Sequence, residues 1–157
     1  MLIRKSVQED ATGMIELEHL VWTAGTTPSE IHYSTDAEYL LKNPPGSKVV
    51  AEIDGQIAGI LGYHSPIPLK SNEHVWTLDI AVHPNFQKHG VGSALMEELY
   101  RIAKAENKKK ISLRVLSTNE KAIQFYTKHG FQKEGQLHNE FIIDGEYADD
   151  IFMAVFL

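Results

Sequence analysis

The hydrophobic pattern changes abruptly in the middle of the chain. Residues 76–82 alternate between apolar and other side chains, which predicts a strand whose even-numbered residues share one face. Pro84 ends this strand, and from Gly90 onward the apolar residues recur at the spacing of a helix. The chain is therefore expected to pass from a strand through a short turn directly into a helix, as mixed α/β domains do.

The predicted turn carries two glycines, Gly90 and Gly92, at the start of the helix. A helix start directs backbone N–H groups and the positive end of the helix dipole at one point, and glycine lets an anion approach that backbone closely. The pair is also compatible with a turn that needs glycine only for packing. A dinucleotide fold is disfavoured because the third glycine is missing, and no Gly-Lys-Ser/Thr follows for a nucleoside triphosphate.

The remaining pattern predicts further strands and helices around this segment. Asp54-Gly55 and Asp144-Gly145 each separate two strand-like runs and predict hairpins. Asp10 is expected to cap the first helix, Ser34-Thr35-Asp36 to start a short one, and Gly130 to end the last one. The fold class is predicted as α/β, one domain over 1–157 with a mixed, mostly antiparallel sheet and helices on both faces. The predicted strands are 2–7, 48–53, 56–63, 74–82, 111–116, 131–143 and 146–157, with helices at 10–21, 34–41, from 90, and 119–129.

Composition excludes several classes of function. The 157 residues contain no cysteine, which excludes disulfides and thiolate nucleophiles. The net charge of −6 disfavours a nucleic-acid partner, because phosphate binding requires basic surface. No apolar run approaches the roughly 20 residues of a membrane helix, so a cytoplasmic protein without membrane contact is expected. The eight histidines form no metal-binding spacing, and no metal is predicted.

Two motifs resemble those of a known family. The segment 80–93 contains Gln-Lys-His-Gly-Val-Gly, which is similar to the coenzyme A motif Gln/Arg-x-x-Gly-x-Gly/Ala of the GNAT family of N-acetyltransferases. The segment 119–126, followed by Gly130-Phe131, resembles the second motif of that family, and the C-terminal hairpin fits its bacterial members. The resemblance extends over nearly the whole chain and implies a GNAT-like fold and an N-acetyltransferase that uses acetyl-CoA and an amine acceptor.

The resemblance also implies roles for individual residues. The backbone of the strand end would pair with the pantetheine arm, and the amides of the following turn would hold the pyrophosphate. Asn119 would bind the pantetheine amides, Ala122 would leave space for the cofactor, and the Tyr126 hydroxyl would protonate the leaving thiolate. Asn119 could equally be a plain N-cap, and Tyr126 a core aromatic. The implied cofactor-binding residues are Ile80, Ala81, Val82, Gln87, Lys88, His89, Gly90, Val91, Gly92, Ser93, Asn119 and Ala122.

The resemblance also implies a mechanism in which the amine attacks the thioester directly in a ternary complex. This mechanism needs no enzyme nucleophile, which agrees with the lack of cysteine. A backbone N–H near Val82 is expected to bind the carbonyl oxygen. The general base stays open among Asp79, His74 and water. Asp79 lies on the opposite strand face from Leu78 and could be structural.

The acceptor site is expected between the loop 22–33, the loop 63–71 and the final hairpin, and Glu16, Glu18 and His19 are expected on a solvated helix face. The acceptor could be a small amine, an antibiotic or a peptide. The competing interpretation is an acyl-CoA-binding sensor or partner domain without efficient catalysis, and a homodimer is left open. The candidate acceptor-site aromatics are Trp22, His32, Tyr33, His64 and Tyr147.

Overall fold

The computed structural model describes residues 1–157 and contains seven strands and four helices. Short 3₁₀ turns at residues 8–10, 70–72 and 84–86 complete the regular structure. The strands are β1 (Leu2–Lys5), β2 (Lys48–Ile53), β3 (Gln56–His64), β4 (Val75–Val82), β5 (Lys110–Leu116), β6 (Gln132–Ile143) and β7 (Glu146–Phe156). The helices are α1 (Ala11–Val21), α2 (Asp36–Lys42), α3 (Val91–Ala105) and α4 (Glu120–Lys128).

The strands follow the order β1-β2-β3-β4-β5-β7-β6. β4 and β5 are parallel, with α3 in the connection between them, whereas β1–β2, β2–β3, β5–β7 and β6–β7 are antiparallel. The prediction of a mixed, mostly antiparallel sheet is confirmed. The parallel register covers residues 75–77 opposite 110–112, while β4 continues to Val82 and β5 to Leu116.

Both hairpin turns have the conformation that their sequences predict. Asp54 and Gly55 have φ angles of 51° and 76°, and Asp144 and Gly145 have 51° and 83°. Two consecutive positive φ angles are the mark of a type I′ turn, which matches the twist of the flanking strands. The predicted hairpins are therefore correct in position, and the structure shows that both turns are of type I′.

Helix boundaries are confirmed in two places and corrected in one. The Thr35 side chain accepts the Glu38 N–H at the start of α2, and Gly130 follows α4 with a φ of 88°. Asp10, however, is the last residue of a 3₁₀ turn, and its carboxylate accepts the Val7 N–H instead of capping α1. The same carboxylate binds Arg4 at 2.7 and 2.8 Å, which fixes it on the N-terminal side of the helix.

The chain forms two compact units, and the prediction of a single domain stays a prediction. Unit 1 comprises residues 1–21, 31–63 and 79–102, and unit 2 comprises residues 22–30, 64–78 and 103–157. In unit 1, an added Cβ at Gly13 of α1 would lie 2.9 Å from Ile57, and one at Gly59 would lie 2.8 Å from Val91 of α3. The pairing of β2 with β3 leaves residue 58 as an extra residue, so the side chains before and after it point to opposite faces of β3. Helix α1, which contacts Ile57, and helix α3, which contacts Gly59, therefore cover opposite faces of the sheet.

Candidate active site

The turn between β4 and α3 belongs to unit 1 and is exposed over residues 87–90. After Pro84, which starts a single 3₁₀ turn, Lys88 and Gly90 have left-handed φ angles of 64° and 81°. No atom lies within 4 Å of a Cβ built on Gly90, so its backbone conformation, and not packing, accounts for glycine at this position. Lys88, His89 and Gly90 are exposed, whereas Val91 is 1% exposed and anchors the helix start in the core.

Helix α3 begins directly at this turn. The Ala94 N–H donates to the Gly90 carbonyl at 3.0 Å, which is the first α-helical hydrogen bond. The backbone N–H groups of Val91, Gly92 and Ser93 therefore belong to the first turn, where donors and the positive helix dipole are directed along the axis. These are the groups that a pyrophosphate would require.

The end of β4 is held firmly on the side of β3. The His83 N–H donates to the Ala58 carbonyl at 2.9 Å, and the Ala81 carbonyl lies close to Gly59. Ala81 is 1% exposed, whereas Ile80 and Val82 are half-buried. The Gln87 side-chain amide donates to the Val82 carbonyl at 3.4 Å and links the strand end to the turn.

In unit 2, Asn119 is the N-cap of α4. Its Oδ1 accepts the Ala122 N–H at 3.3 Å, and its own N–H donates to the Leu116 carbonyl at 2.9 Å. The capping function is therefore confirmed for the acceptor oxygen. The side-chain amide nitrogen takes no part in the cap, which leaves it chemically able to donate to a ligand.

Tyr126 is 7% exposed, and its ring packs against Phe125 and Phe131 with centroid distances of 5.5 and 5.7 Å. The core interpretation of the ring is therefore correct. A role of the hydroxyl in proton transfer stays a prediction, and the buried ring would hold that hydroxyl in a defined position.

Asp79, whose side chain is 41% exposed, lies at the edge of a buried charged network in unit 1. Lys48 Nζ lies 3.2 Å from Asp79 Oδ2 and 3.5 Å from Glu18 Oε1, and the Tyr39 hydroxyl donates to the same Glu18 oxygen at 2.8 Å. The expectation that Glu18 is solvated is wrong, because this side chain is 4% exposed. It follows Met14 by four residues and hence lies on the buried stripe of α1.

The network shifts the pKa values of two of its members, Lys48 and Tyr39. Burial opposes the charge of Lys48, but Asp79 and Glu18 outweigh it and raise the pKa of the ammonium. Burial, followed by the Glu18 charge, raises the pKa of Tyr39 and keeps it protonated. Asp79 thus has a structural partner in Lys48. His74 is exposed at the opposite end of β4 from Val82, and its carbonyl accepts the N–H groups of Lys109 and Lys110.

The five predicted acceptor-site aromatics have different environments. Tyr33 and His32 stack on His19 with centroid distances of 6.5 and 5.2 Å, and the Tyr33 N–H donates to His19 Nε2. The other three aromatics lie in other segments: Trp22 is half-buried, whereas His64 and Tyr147 are exposed, Tyr147 to 66%. The sequence did not predict the contacts of Asp149 with Gln136, His138 and Asn139 on the final hairpin. Nothing in the local pattern distinguishes these residues from ordinary strand residues.

Comparison with known proteins decides the family. Residues 13–131 match the model of the acetyltransferase (GNAT) family, and this range includes the β4–α3 turn and α4. The chain belongs to the GNAT acetyltransferase family. This GNAT protein is 33% identical over 121 residues to L-amino acid N-acetyltransferase AaaT of Escherichia coli, covering 74% of the chain and 72% of the relative. The predicted family, fold class and type of enzyme are confirmed.

Two solved structures have the same fold. The Streptococcus mutans protein smu.2055 has a TM-score of 0.92 and 30% identity, with 99% of both chains covered. The protein YncA of Salmonella typhimurium, solved with its cofactor acetyl-CoA, has a TM-score of 0.86 and 22% identity, with 100% of this chain and 94% of the other covered. None of the helices in the GNAT protein described here is long and apolar enough to cross a bilayer. No group of three or more histidine, aspartate or glutamate residues could hold a metal ion, and the expectation of metal-free chemistry stays a prediction.

Proposed function

We propose that this chain transfers the acetyl group of acetyl-CoA to a primary amine by direct attack in a ternary complex. The observation that carries the proposal is the turn from β4 into α3. Left-handed Gly90, exposed and free of crowding, opens the first helical turn of α3 within the region that matches the GNAT family. This combination suits a phosphate-bearing cofactor.

The cofactor would be held mainly by backbone groups. In the proposed complex the pyrophosphate lies on the amides of residues 87–93, and the pantetheine arm pairs with the backbone of residues 80–82 like an added strand. Asn119 donates its side-chain amide to the arm, and the small side chain of Ala122 lets the arm lie against α4. Acetyl-CoA in the related YncA structure supports this choice of cofactor.

The chemistry requires positioning and proton transfer. A neutral amine attacks the thioester carbon, the carbonyl oxygen accepts a backbone N–H near Val82, and Tyr126 protonates the departing thiolate. Deprotonation is the costly step for a basic substrate. A lysine-type amine needs about 4.6 kcal/mol to be neutral at pH 7, whereas the α-amine of a peptide needs about 1 kcal/mol.

An α-amine is the acceptor class that we favour. The L-amino acid substrate in the name of the E. coli relative supports it, and the lower cost of deprotonation favours the α-amine of a peptide N-terminus. The alternative, an acyl-CoA-binding domain without efficient catalysis, is supported by one observation. Asp79, a candidate base, is ion-paired with Lys48.

The test is an assay of acetyl-CoA consumption with amino acids, peptides, polyamines and aminoglycosides as acceptors, with the N-acetyl product identified by mass spectrometry. We expect turnover with at least one α-amine and slower turnover with polyamines. Acetyl-CoA should also raise the melting temperature by mass action, more than ATP or NAD does. Binding of acetyl-CoA without turnover of any amine would support the binding-domain alternative, and preference for ATP or NAD would contradict both.

A further inference from the structure

The final hairpin of unit 2 contains an irregularity that presents a histidine. Leu137 pairs with Asp150 and Phe141 with Ala148, so three residues of β6, 138–140, lie opposite the single residue Asp149 of β7. Within this bulge Asn139 has a φ of 52°, a conformation that costs energy for a residue other than glycine. Bulges of this kind redirect side chains and are frequent beside active sites.

The Asp149 carboxylate holds the bulge together. Its Oδ1 accepts the Asn139 N–H at 2.8 Å, and its Oδ2 accepts the Gln136 amide and lies 3.0 Å from His138 Nδ1. The Asn139 N–H, followed by the Gln136 amide, lowers the pKa of Asp149 and keeps it charged. A charged acceptor on Nδ1 fixes the imidazole so that Nε2 is the nitrogen able to exchange a proton.

The same residue ties the bulge to the start of α4. The Asp149 N–H donates to Ser117 Oγ at 2.9 Å, and the Ser117 N–H donates to the Asp149 carbonyl at 2.9 Å. Ser117 follows β5 and lies two residues before Asn119, the proposed ligand of the pantetheine arm. His138, whose side chain is 76% exposed, is therefore anchored to the segment that carries a proposed cofactor contact.

We infer that His138 is the general base of the acetyl transfer, oriented by Asp149. This inference rests on the proposed function. His138 Nε2 takes one proton from the ammonium of the acceptor, and the freed lone pair forms the C–N bond at the thioester carbon. When the intermediate collapses, the C–S bond breaks with its electron pair on sulfur. Tyr126 protonates the sulfur and is restored by the second nitrogen proton through water, while His138 returns its proton to solvent.

Few charged groups surround the imidazole. Of the acidic residues on β7, Asp149 contacts the imidazole, whereas Asp150 is ion-paired with Arg114 and Glu146 is the first residue of the strand. β6 itself contributes Glu140 beside the histidine and Lys133, which donates to Gln136. Glu140 is exposed and lies in the same bulge, so E140Q is a matched control for a loss of local charge. Neither Glu140 nor Lys133 has a part in the proposed chemistry.

The experiment compares H138Q, D149N, the double variant and E140Q with the wild type, using the best acceptor amine from pH 6 to 10. We expect H138Q to lower kcat/KM about 100-fold at pH 7, because a positioned base contributes at least that factor. The loss should shrink to less than about threefold near pH 10, where an α-amine is already neutral. The affinity for acetyl-CoA should stay within a few-fold, and E140Q should match the wild type.

The double variant separates a base from a structural residue. If Asp149 acts by orienting His138, D149N should cost about tenfold alone and nothing further in the H138Q background. A loss in H138Q that is equal at all pH values, or one accompanied by weakened acetyl-CoA binding, would overturn the inference. A wild type that acetylates amines while H138Q does so equally well would overturn it and leave the proposed function intact. A wild type that acetylates no amine would overturn both.

Discussion

Two carboxylate networks, one in each unit, use similar groups in opposite ways. In unit 1, Glu18 and Lys48 are almost completely buried and satisfy each other together with Tyr39 and Asp79. In unit 2, Asp149 holds a surface bulge and an imidazole that is 76% exposed. A buried network in which each charge has a partner stabilises a packing arrangement, whereas an exposed one leaves a nitrogen able to exchange protons with solvent. Burial thus separates the Glu18–Lys48 pair from the exposed imidazole that we associate with catalysis.

The largest expected effect is in the buried network. K48M would leave Glu18 and Asp79 without their cation, and removal of one partner from a buried ion pair typically costs 3–5 kcal/mol. We therefore expect the free energy of unfolding to fall by about that amount, measured by urea denaturation. The exposed Lys104 provides the control K104M, which should change it by less than about 0.5 kcal/mol. If K48M lowered the free energy of unfolding as little as K104M does, the network in unit 1 would not have the structural role that distinguishes it from the network around Asp149.

The second prediction concerns Tyr126, whose buried ring belongs to the core but whose hydroxyl is the proposed acid. Y126F keeps the ring contacts with Phe125 and Phe131 and deletes only the hydroxyl. We expect kcat to fall about 100-fold and the dissociation constant of coenzyme A to change less than threefold. Loss of cofactor affinity with normal turnover would show that Tyr126 contributes to cofactor binding and is not the acid.

The third prediction compares two glycines with matched geometry. Gly90 and Gly46 have φ angles of 81° and 84°, and neither has an atom within 4 Å of an added Cβ. G90V and G46V should therefore cause similar backbone strain. Only G90V should weaken coenzyme A binding, by at least tenfold or about 1.4 kcal/mol, in isothermal titration calorimetry. Equal affinities of the two folded variants would show that the turn does not hold the cofactor.

The smallest effect is expected at Asp10, another carboxylate, which is buried and ion-paired with Arg4. The hydrogen bonds from Arg4, followed by the Val7 N–H, lower the pKa of Asp10 against the opposing effect of burial. Its contribution to stability is therefore present above the ordinary value of 3.8 and lost as the pH falls through the lower folded value. D10N should cost about 1 kcal/mol at pH 7 and flatten the acid limb of the stability curve. An unchanged acid limb in D10N would show that the lowered pKa of Asp10 does not contribute to the pH dependence of stability.

Much of the fold follows from local sequence, and the errors have local causes. The hairpin turns at 54–55 and 144–145 and the glycine after α4 depend on near neighbours, and their positions are predicted correctly. Asp10 is misplaced as a cap because its strongest partner, Arg4, is on the preceding strand. The burial of Glu18 could have been inferred from its place on the stripe of Met14, but its partner Lys48 is 30 residues away.

The candidate site divides in the same way. The turn at 87–93 and the N-cap at Asn119 can be recognised from the sequence because each lies within one contiguous segment. His138 and Asp149 are 11 residues apart and meet only because the register of β6 and β7 shifts between Leu137 and Phe141. A strand register depends on the whole pairing, so no short motif marks these two residues.

The most direct test of the account is to follow an isotopically labelled acetyl group from acetyl-CoA in a single turnover, with and without the best acceptor amine. Direct attack predicts that the label passes to the amine and that no label is covalently attached to the protein at any time. This expectation is consistent with a chain that contains no cysteine. Label attached covalently to the protein before the amine is added, or label released only as acetate, would contradict the account.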